Sequence, residues 1–255
     1  MTIAAAGHPA ISAHRGGGEF AHPGTYEAYR AALAAGADYV EFDVRRTLDG
    51  TLVACHDAGF GRERSVSQLT LDTLRGLAGY EVPDVAELLQ LIAGQARAHV
   101  DLKDSTAAGD VVELALGLLA PADVIVTARD ARALRAIRSA CPEVATGLTI
   151  GGDVGETARF ALRRGRNRGL SRLADVVAAG ADLAVIHRRL ATRRMLSECR
   201  GRGISTAAWT VNRDLHRWLR RADLDILVTD RPARAIAGRA DLSKPASAAG
   251  DINVM

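Results

Sequence analysis

Leu173-Ala174-Asp175-Val176-Val177-Ala178-Ala179-Gly180-Ala181-Asp182-Leu183-Ala184-Val185-Ile186 carries the fold in miniature. Apolar residues at three- and four-residue spacing predict a helix over Leu173–Ala179, with one face to bury. Gly180 follows it where a left-handed stop ends a helix. The uninterrupted apolar run Leu183–Ile186 then reads as a strand covered on both faces, as strands of parallel sheets are. The unit recurs downstream: a helix over Arg193–Gly201, a glycine at 203 and a strand over Thr206–Val211.

Working outward, further strands are predicted at Ile11–His14, Tyr39–Val44, Leu52–His56, His99–Leu102, Val124–Thr127, Thr146–Ile150 and Ile226–Thr229. Helical patterns occupy Tyr26–Ala35, Val85–Ala93, Val111–Leu119, Arg132–Cys141 and Leu215–Arg221, several closed by a glycine such as Gly36. Leu134, Ile137 and Cys141 show the buried stripe, with Arg132, Arg135 and Arg138 opposite. Strands alternating with helices over nearly the whole length predict an α/β fold of the (β/α)8 TIM-barrel type. The run ending at His56 is the candidate for a strand outside the barrel. No linker divides the chain, so residues 1–240 are expected to form one barrel domain and 241–255 a loosely ordered tail. The Arg-rich segment Gly151–Arg172 reads either as an excursion over the barrel mouth or as a solvated helix.

With 255 residues, 48% of them apolar and 25% charged, the chain can build one large core and is neither disordered nor collagen-like. The longest apolar stretch, Val111 to Ala128, is broken by Glu113, Pro121 and Asp123, so no transmembrane segment is expected. The opening residues lack the pattern of a secretory signal, which predicts a cytoplasmic protein. Cys55, Cys141 and Cys199 are odd in number and widely spaced, and are expected to be buried thiols. Basic residues without interleaved aromatics, which make up only 4% of the chain, argue against nucleic-acid binding. Of 33 basic residues only Lys103 and Lys244 are lysines, so a lysine at a chemically suggestive position needs its own reason.

Tyr39-Val40-Glu41-Phe42-Asp43-Val44 supplies the first such position. On a strand Glu41 and Asp43 share one face while Val40, Phe42 and Val44 take the other. Two carboxylates that close need a cation, and a hard divalent ion satisfies them economically. His99-Val100-Asp101-Leu102-Lys103 repeats the pattern with a third carboxylate and an ammonium suited to a phosphate oxygen. His14, followed by Arg15-Gly16-Gly17-Gly18, and His56, followed by Asp57, stand at strand ends, where such barrels place catalytic groups. Together they suggest an acid/base pair beside a phosphate clamp.

These residues, together with Thr25, Thr47, Asp49-Gly50, Ala208-Trp209-Thr210-Val211-Asn212 and Asp225 to Pro232, run in order from about residue 11 to 236. The chain thereby resembles the glycerophosphodiester phosphodiesterase family. The resemblance implies a TIM barrel and metal-dependent phosphodiester cleavage, with His14 and His56 as general acid and base. It implies Glu41, Asp43 and Asp101 as ligands of Mg²⁺ or Ca²⁺, Arg15 and Lys103 as phosphate contacts, and Trp209 as a wall of the substrate mouth. The substrate would be a small glycerophosphodiester or a lysophospholipid-like molecule. The match has two departures. His22-Pro23-Gly24-Thr25 stands where most members carry Pro-Glu-Asn-Thr, and Asp101 where Glu is more usual. The second is similar to the Asp-x-Lys of sphingomyelinase D-like phospholipases and admits an alternative, a phospholipase D-type lyase that forms a cyclic phosphate or a relative acting on another phosphorylated lipid. A non-catalytic, phosphate-binding barrel is the alternative outside enzymology. Oligomeric state is not legible.

Overall fold

A computed structural model describes residues 7–60, 64–152 and 168–243, and the side chains among them except those of 168–172. Eight parallel strands close on themselves: β1 (Ala10–Ala13), β2 (Tyr39–Arg46), β6 (Arg97–Leu102), β7 (Val124–Ala128), β8 (Ala145–Ile150), β9 (Leu183–His187), β10 (Ser205–Trp209) and β11 (Ile226–Thr229). The seam is double, because β1 pairs with both β2 and β11. β3 (Leu52–Ala54) lies antiparallel to the end of β2, outside the barrel, as the sequence allowed. The short pair β4 (Gly59–Phe60) and β5 (Arg64–Ser65) completes the strands of the described residues.

Alternation along each strand sorts the two cores. Val40, Phe42 and Val44 face outward and pack beneath the helices, with Val100, Leu102, Val126 and Ile186. Tyr39 faces inward with Ala10, Ile125, Leu183, Ala207 and Ile226, plugging the floor of the barrel. The same inward period raises Glu41 and Asp43 from β2, and His99 and Asp101 from β6, toward the mouth. This is the layered, filled interior expected of the fold, with the strand C-termini left for chemistry.

The helices are α1 (Tyr26–Ala34), α2 (Leu71–Ala78), α3 (Val85–Ile92), α4 (Ala108–Leu116), α5 (Ala131–Ala140), α6 (Arg168–Ala179), α7 (Arg193–Gly201), α8 (Leu215–Leu219) and α9 (Pro232–Ser243). Side-chain oxygens cap several N-termini: Thr25 accepts from Ala28 N, Asp84 from Ala86 N at 2.7 Å, and Thr192 from Met195 N. Each such cap contributes about 1 kcal/mol.

Several expectations need correction. β1 and β3 end before His14 and His56, which sit in the turns that follow. α4 starts three residues early, because Asp104 accepts from Thr106 N and opens a 3₁₀ turn over Ser105–Ala107 that runs into it. The sequence reading misses α2 and α9, although Leu71, Leu74 and Ala78 carry helical spacing in α2. Cys141 is half-buried, whereas Cys55 and Cys199 are buried. α9 takes in Asp241–Ser243 of the expected tail, and the rest of that tail lies outside the described residues. Of the Arg-rich segment, residues 153–167 also lie outside them, and from residue 168 the chain is α6. Among the described residues no helix is long and apolar enough to cross a membrane.

Between β2 and α3 the chain makes a small outlying layer with its own core of Val53, Cys55, Val66, Leu69, Leu74 and Val82. Cys55 N donates to Asp43 O at 2.8 Å, so this layer is fastened to the end of β2 and delivers His56 to the rim.

His99 lies inside the barrel at 2% exposure, with Ser12 Oγ 3.0 Å from Nδ1 and Thr127 Oγ1 3.4 Å from Nε2. Burial pushes its pKa down to about 4. The unfolded chain therefore takes up a proton below about pH 6.5 that the folded chain refuses, and stability falls as pH drops from about 6.5 to about 4. Urea unfolding at pH 7 and pH 5 should show the wild type losing roughly 2 kcal/mol more than His99→Gln over that interval. Equal losses would contradict a neutral buried imidazole.

Candidate active site

Strand register assembles the acid cluster. Asp43 is directly opposite Asp101, and Glu41 opposite His99. Ligand oxygens of Glu41, Asp43 and Asp101 lie within 4.8 Å of one another, and all three residues are buried. Thr127 Oγ1 donates to Asp101 Oδ1 at 2.6 Å from the next strand. Lys103 Nζ bridges Asp43 Oδ1, at 2.9 Å, and Asp101 Oδ2. Arg15 Nε is 3.1 Å from Asp43 Oδ2.

The turn after β1 is shaped for this. Arg15 adopts φ 52°, which aims its backbone N–H at Glu41 Oε2, 2.7 Å away. Gly16 follows with φ +77°, and a Cβ there would lie 2.7 Å from the Ala28 carbonyl carbon of α1. Only glycine lets the turn press that close to the helix.

Electrostatics follow from burial. Glu41 is pushed up to about 7, first by desolvation and then by the Asp43 charge. Asp43 is equally desolvated, yet Lys103 and Arg15 outweigh the cost and hold its carboxyl below the usual range. Lys103 moves upward against its own burial, because Asp101 and Asp43 favour the ammonium. Three converging hard oxygen donors, one of them still short of positive charge, fit a Mg²⁺- or Ca²⁺-type ion.

Both sequence-nominated histidines face the same cavity of about 590 Å³, together with Arg15, Lys103 and Trp209. His14 Nδ1 is 2.6 Å from Asp230 Oδ1 across the β1–β11 seam. Asn212 fixes that carboxylate, donating to Asp230 Oδ2 through Nδ2 and accepting from Asp230 N at 2.9 Å. Burial alone would lower the His14 pKa, but Glu41 and the Asp230 hydrogen bond prevail and raise it. His56 Nδ1 meets Asp57 Oδ1 at 2.9 Å, and the Arg45 guanidinium grips the His56 carbonyl at 3.2 and 3.0 Å. In both imidazoles Nδ1 is bound to a carboxylate, leaving Nε2 for the cavity. Trp209 stands edge-on to His187 with ring centroids 5.2 Å apart.

Sequence reasoning overlooked His99, Arg45 and the pairing of Asp230. Asp230 and Asn212 were legible as part of a family pattern without a role, although a carboxylate one residue past a barrel strand is a positional signal in itself. His22 and Glu19 do not replace the altered loop. His22 packs on Tyr80 at 5.5 Å, and Glu19 Oε2 accepts from Ala233 N at 2.8 Å at the start of α9.

A filled parallel barrel with clustered carboxylates, carboxylate-paired histidines and cations at its strand ends defines a barrel built to handle phosphoryl groups. The glycerophosphoryl diester phosphodiesterase family model matches residues 14–234, and the chain belongs to that family. A glycerophosphodiester phosphodiesterase of Caldanaerobacter subterraneus is 25% identical over 249 residues, 89% of this chain and 96% of its own. A Mycobacterium tuberculosis protein named "Probable glycerophosphodiester phosphodiesterase 1" is 47% identical over 76 residues, and that match spans only 28% of either chain. The fold is shared with the Thermotoga maritima glycerophosphodiester phosphodiesterase (TM-score 0.70, 22% identity, 90% of this chain and 98% of that one). It is shared also with an Oleispira antarctica phosphodiesterase solved with its product sn-glycerol-3-phosphate (TM-score 0.70, 19% identity, 91% and 96%).

Asp230→Asn should lower the His14 pKa, because the charge that favours the imidazolium is removed. Imidazole proton NMR across a pH titration measures it. An unmoved His14 resonance midpoint would refute the pairing.

Proposed function

We propose that this protein cleaves glycerophosphodiesters to glycerol 3-phosphate and an alcohol, with Mg²⁺ or Ca²⁺ held by Glu41, Asp43 and Asp101. The convergence of those three carboxylates with two carboxylate-paired histidines on one cavity carries the reading. Family membership and the glycerol phosphate product of the Oleispira relative support it. A divalent ion in such a site supplies Lewis-acid polarisation of the phosphoryl oxygens.

The chain's own groups do the rest. Lys103, a compact ammonium with three donors, and Arg15 hold the non-bridging oxygens. His14 Nε2 takes the proton of the attacking oxygen as its bond to phosphorus forms, and Asp230 steadies the resulting imidazolium. His56, hydrogen-bonded to Asp57 on the rim, gives a proton to the departing alkoxide as the ester bond to phosphorus breaks. Trp209 closes the side of the cavity and excludes water there.

The nucleophile is water or a hydroxyl of the substrate, and one observation favours the second. Among the described residues, no side chain from 17 to 25 lines the cavity. Thr25 is spent capping α1, so the carboxylate and amide absent from His22-Pro23-Gly24-Thr25 are not replaced. A tethered hydroxyl competes with water at effective concentrations that reach ~10⁵ M when aligned. A glycerol hydroxyl next to the ester oxygen would give a cyclic phosphate first.

Phosphorus NMR of glycerophosphocholine with and without Mg²⁺ or Ca²⁺ tests both levels. Metal-dependent loss of the diester signal is expected, with a cyclic resonance preceding the monoester. A monoester from the earliest point would leave hydrolysis by water, and no turnover of any phosphodiester would refute the activity. His14→Ala and His56→Ala should each lower kcat by ~10²- to 10⁴-fold while calorimetry still shows metal binding. Lys103→Arg should cost about tenfold or more, ~1.4 kcal/mol, because a planar guanidinium does not fit a point-charge site. Full activity in Lys103→Arg would remove Lys103 from the phosphate contacts.

A further inference from the structure

The arginines of this barrel are treated differently at its two ends. At the floor, where helices turn back into strands, they are matched with carboxylates: Arg239 with Asp38, Arg138 Nη1 with Asp182 Oδ1 at 2.8 Å, and Arg221 Nη2 with Asp223 Oδ2 at 2.8 Å. At the mouth, the connections that leave the adjacent strands β9, β10 and β11 carry Arg188, Arg189, Arg193, Arg194, Arg213 and Arg231, all exposed. Among the described residues no carboxylate pairs with any of these six side chains. Two acids share the same connections: Asp230, committed to His14 and Asn212, and Asp214, which is exposed. Residues 153–167 lie outside the described ones, and their sequence holds four arginines against Asp153 and Glu156. Both of those acids set against the crescent would still leave it positive.

Helix physics does not ask for this placement. Arg193 and Arg194 open α7 behind the Thr192 cap, in a first turn with no acidic residue. That end of a helix carries partial positive charge, so cations there lower its stability. A negatively charged partner outside the chain accounts for what the stability of the fold does not.

The crescent ends against an apolar tip. Phe20 is 69% exposed, more than any other large apolar side chain among the described residues. Its loop is strapped to the junction of β11 and α9, where Gly18 N donates to Asp230 O at 2.8 Å and Glu19 Oε2 accepts from Ala233 N. A Cβ on Gly17 would stand 2.7 Å from Pro232 Cδ, so the loop lies hard against the residue that follows Arg231.

We propose that this face of the mouth docks on the surface of an anionic phospholipid bilayer, with the β9–β11 arginines among the lipid phosphates and Phe20 in the headgroup layer. The inference goes beyond the phosphodiesterase reading, since it uses none of the groups assigned to the metal, the phosphate or the proton transfers. An arc of cations beside a projecting apolar side chain binds a charged bilayer through attraction to its headgroups and burial of the tip. A nucleic-acid backbone would engage the arginines but leave Phe20 in water, which favours lipid. Docked in this way, the cavity opens toward a layer of phosphodiester headgroups.

Sedimentation with vesicles tests it. Binding to vesicles of phosphatidylcholine and phosphatidylglycerol in equal parts should exceed binding to phosphatidylcholine alone by about tenfold or more at low ionic strength, and should fall as salt is added. Arg189→Gln/Arg193→Gln/Arg194→Gln should lose about tenfold or more on the charged vesicles. Phe20→Ser should lose about threefold or more there, while its binding to a DNA duplex matches that of the wild type. All four side chains are exposed, and circular dichroism checks that the variants are folded. Equal binding to the two vesicle types, or a triple variant that binds them as the wild type does, would overturn the proposal. Vesicle binding that Phe20→Ser leaves unchanged would also overturn it, in favour of a general polyanion patch. No readout here uses turnover. An inactive protein that binds charged vesicles would therefore refute the phosphodiesterase reading and keep the docking face, and an active one that ignores them would do the reverse.

Discussion

Three carboxylates held inside a closed sheet are the constraint around which the mouth of this barrel is organised. Asp43 and Asp101 are neighbours in register, and Glu41 is one inward position below Asp43. Like charges at that spacing in a buried setting are tolerated only with compensation. The compensation is visible in the surrounding elements: Lys103 across both aspartates, Arg15 on Asp43, Thr127 on Asp101 and a backbone N–H on Glu41. The left-handed Arg15, the close approach of Gly16 to α1 and the position of the whole β1–α1 turn are consequences of that need.

The same constraint explains why the two histidines live in different surroundings. His14 sits beside the carboxylate cluster and across the seam from Asp230, so negative charge dominates its environment despite burial. His56 hangs from the outlying layer, with Arg45 holding its backbone and an exposed Asp57 on its ring. One imidazole belongs to the wall and the other to the rim, a division suited to the base and acid roles proposed for them.

What the sequence disclosed depended on how local the determining physics was. The period-two placement of Glu41 and Asp43, and of Asp101 and Lys103, is a property of a single strand, and the barrel brought the two strands side by side as the helix-strand rhythm required. The scarcity of lysine singled out Lys103 without any structure. His99 went unnoticed because its partners, Ser12 and Thr127, are 87 and 28 residues away. The layer between β2 and α3 kept no barrel rhythm because it packs on its own small core. α4 was misplaced because its start is set by the Asp104 turn rather than by its apolar stripe.

The pairing of His14 with Asp230 spans 216 residues and lies on the seam where the first and last strands meet. During synthesis the histidine emerges 216 residues before its orienting carboxylate, which follows nearly all of the rest of the barrel. A ribosome-bound chain that has not yet delivered the last strand holds an imidazole free to rotate, at the end of a first strand that still lacks one of its two neighbours. The orientation of His14 therefore arrives with ring closure, in one step and late. The arrangement makes the oriented imidazole a reporter of a finished barrel, and any nick or truncation that opens the seam would release it before it dismantled the core.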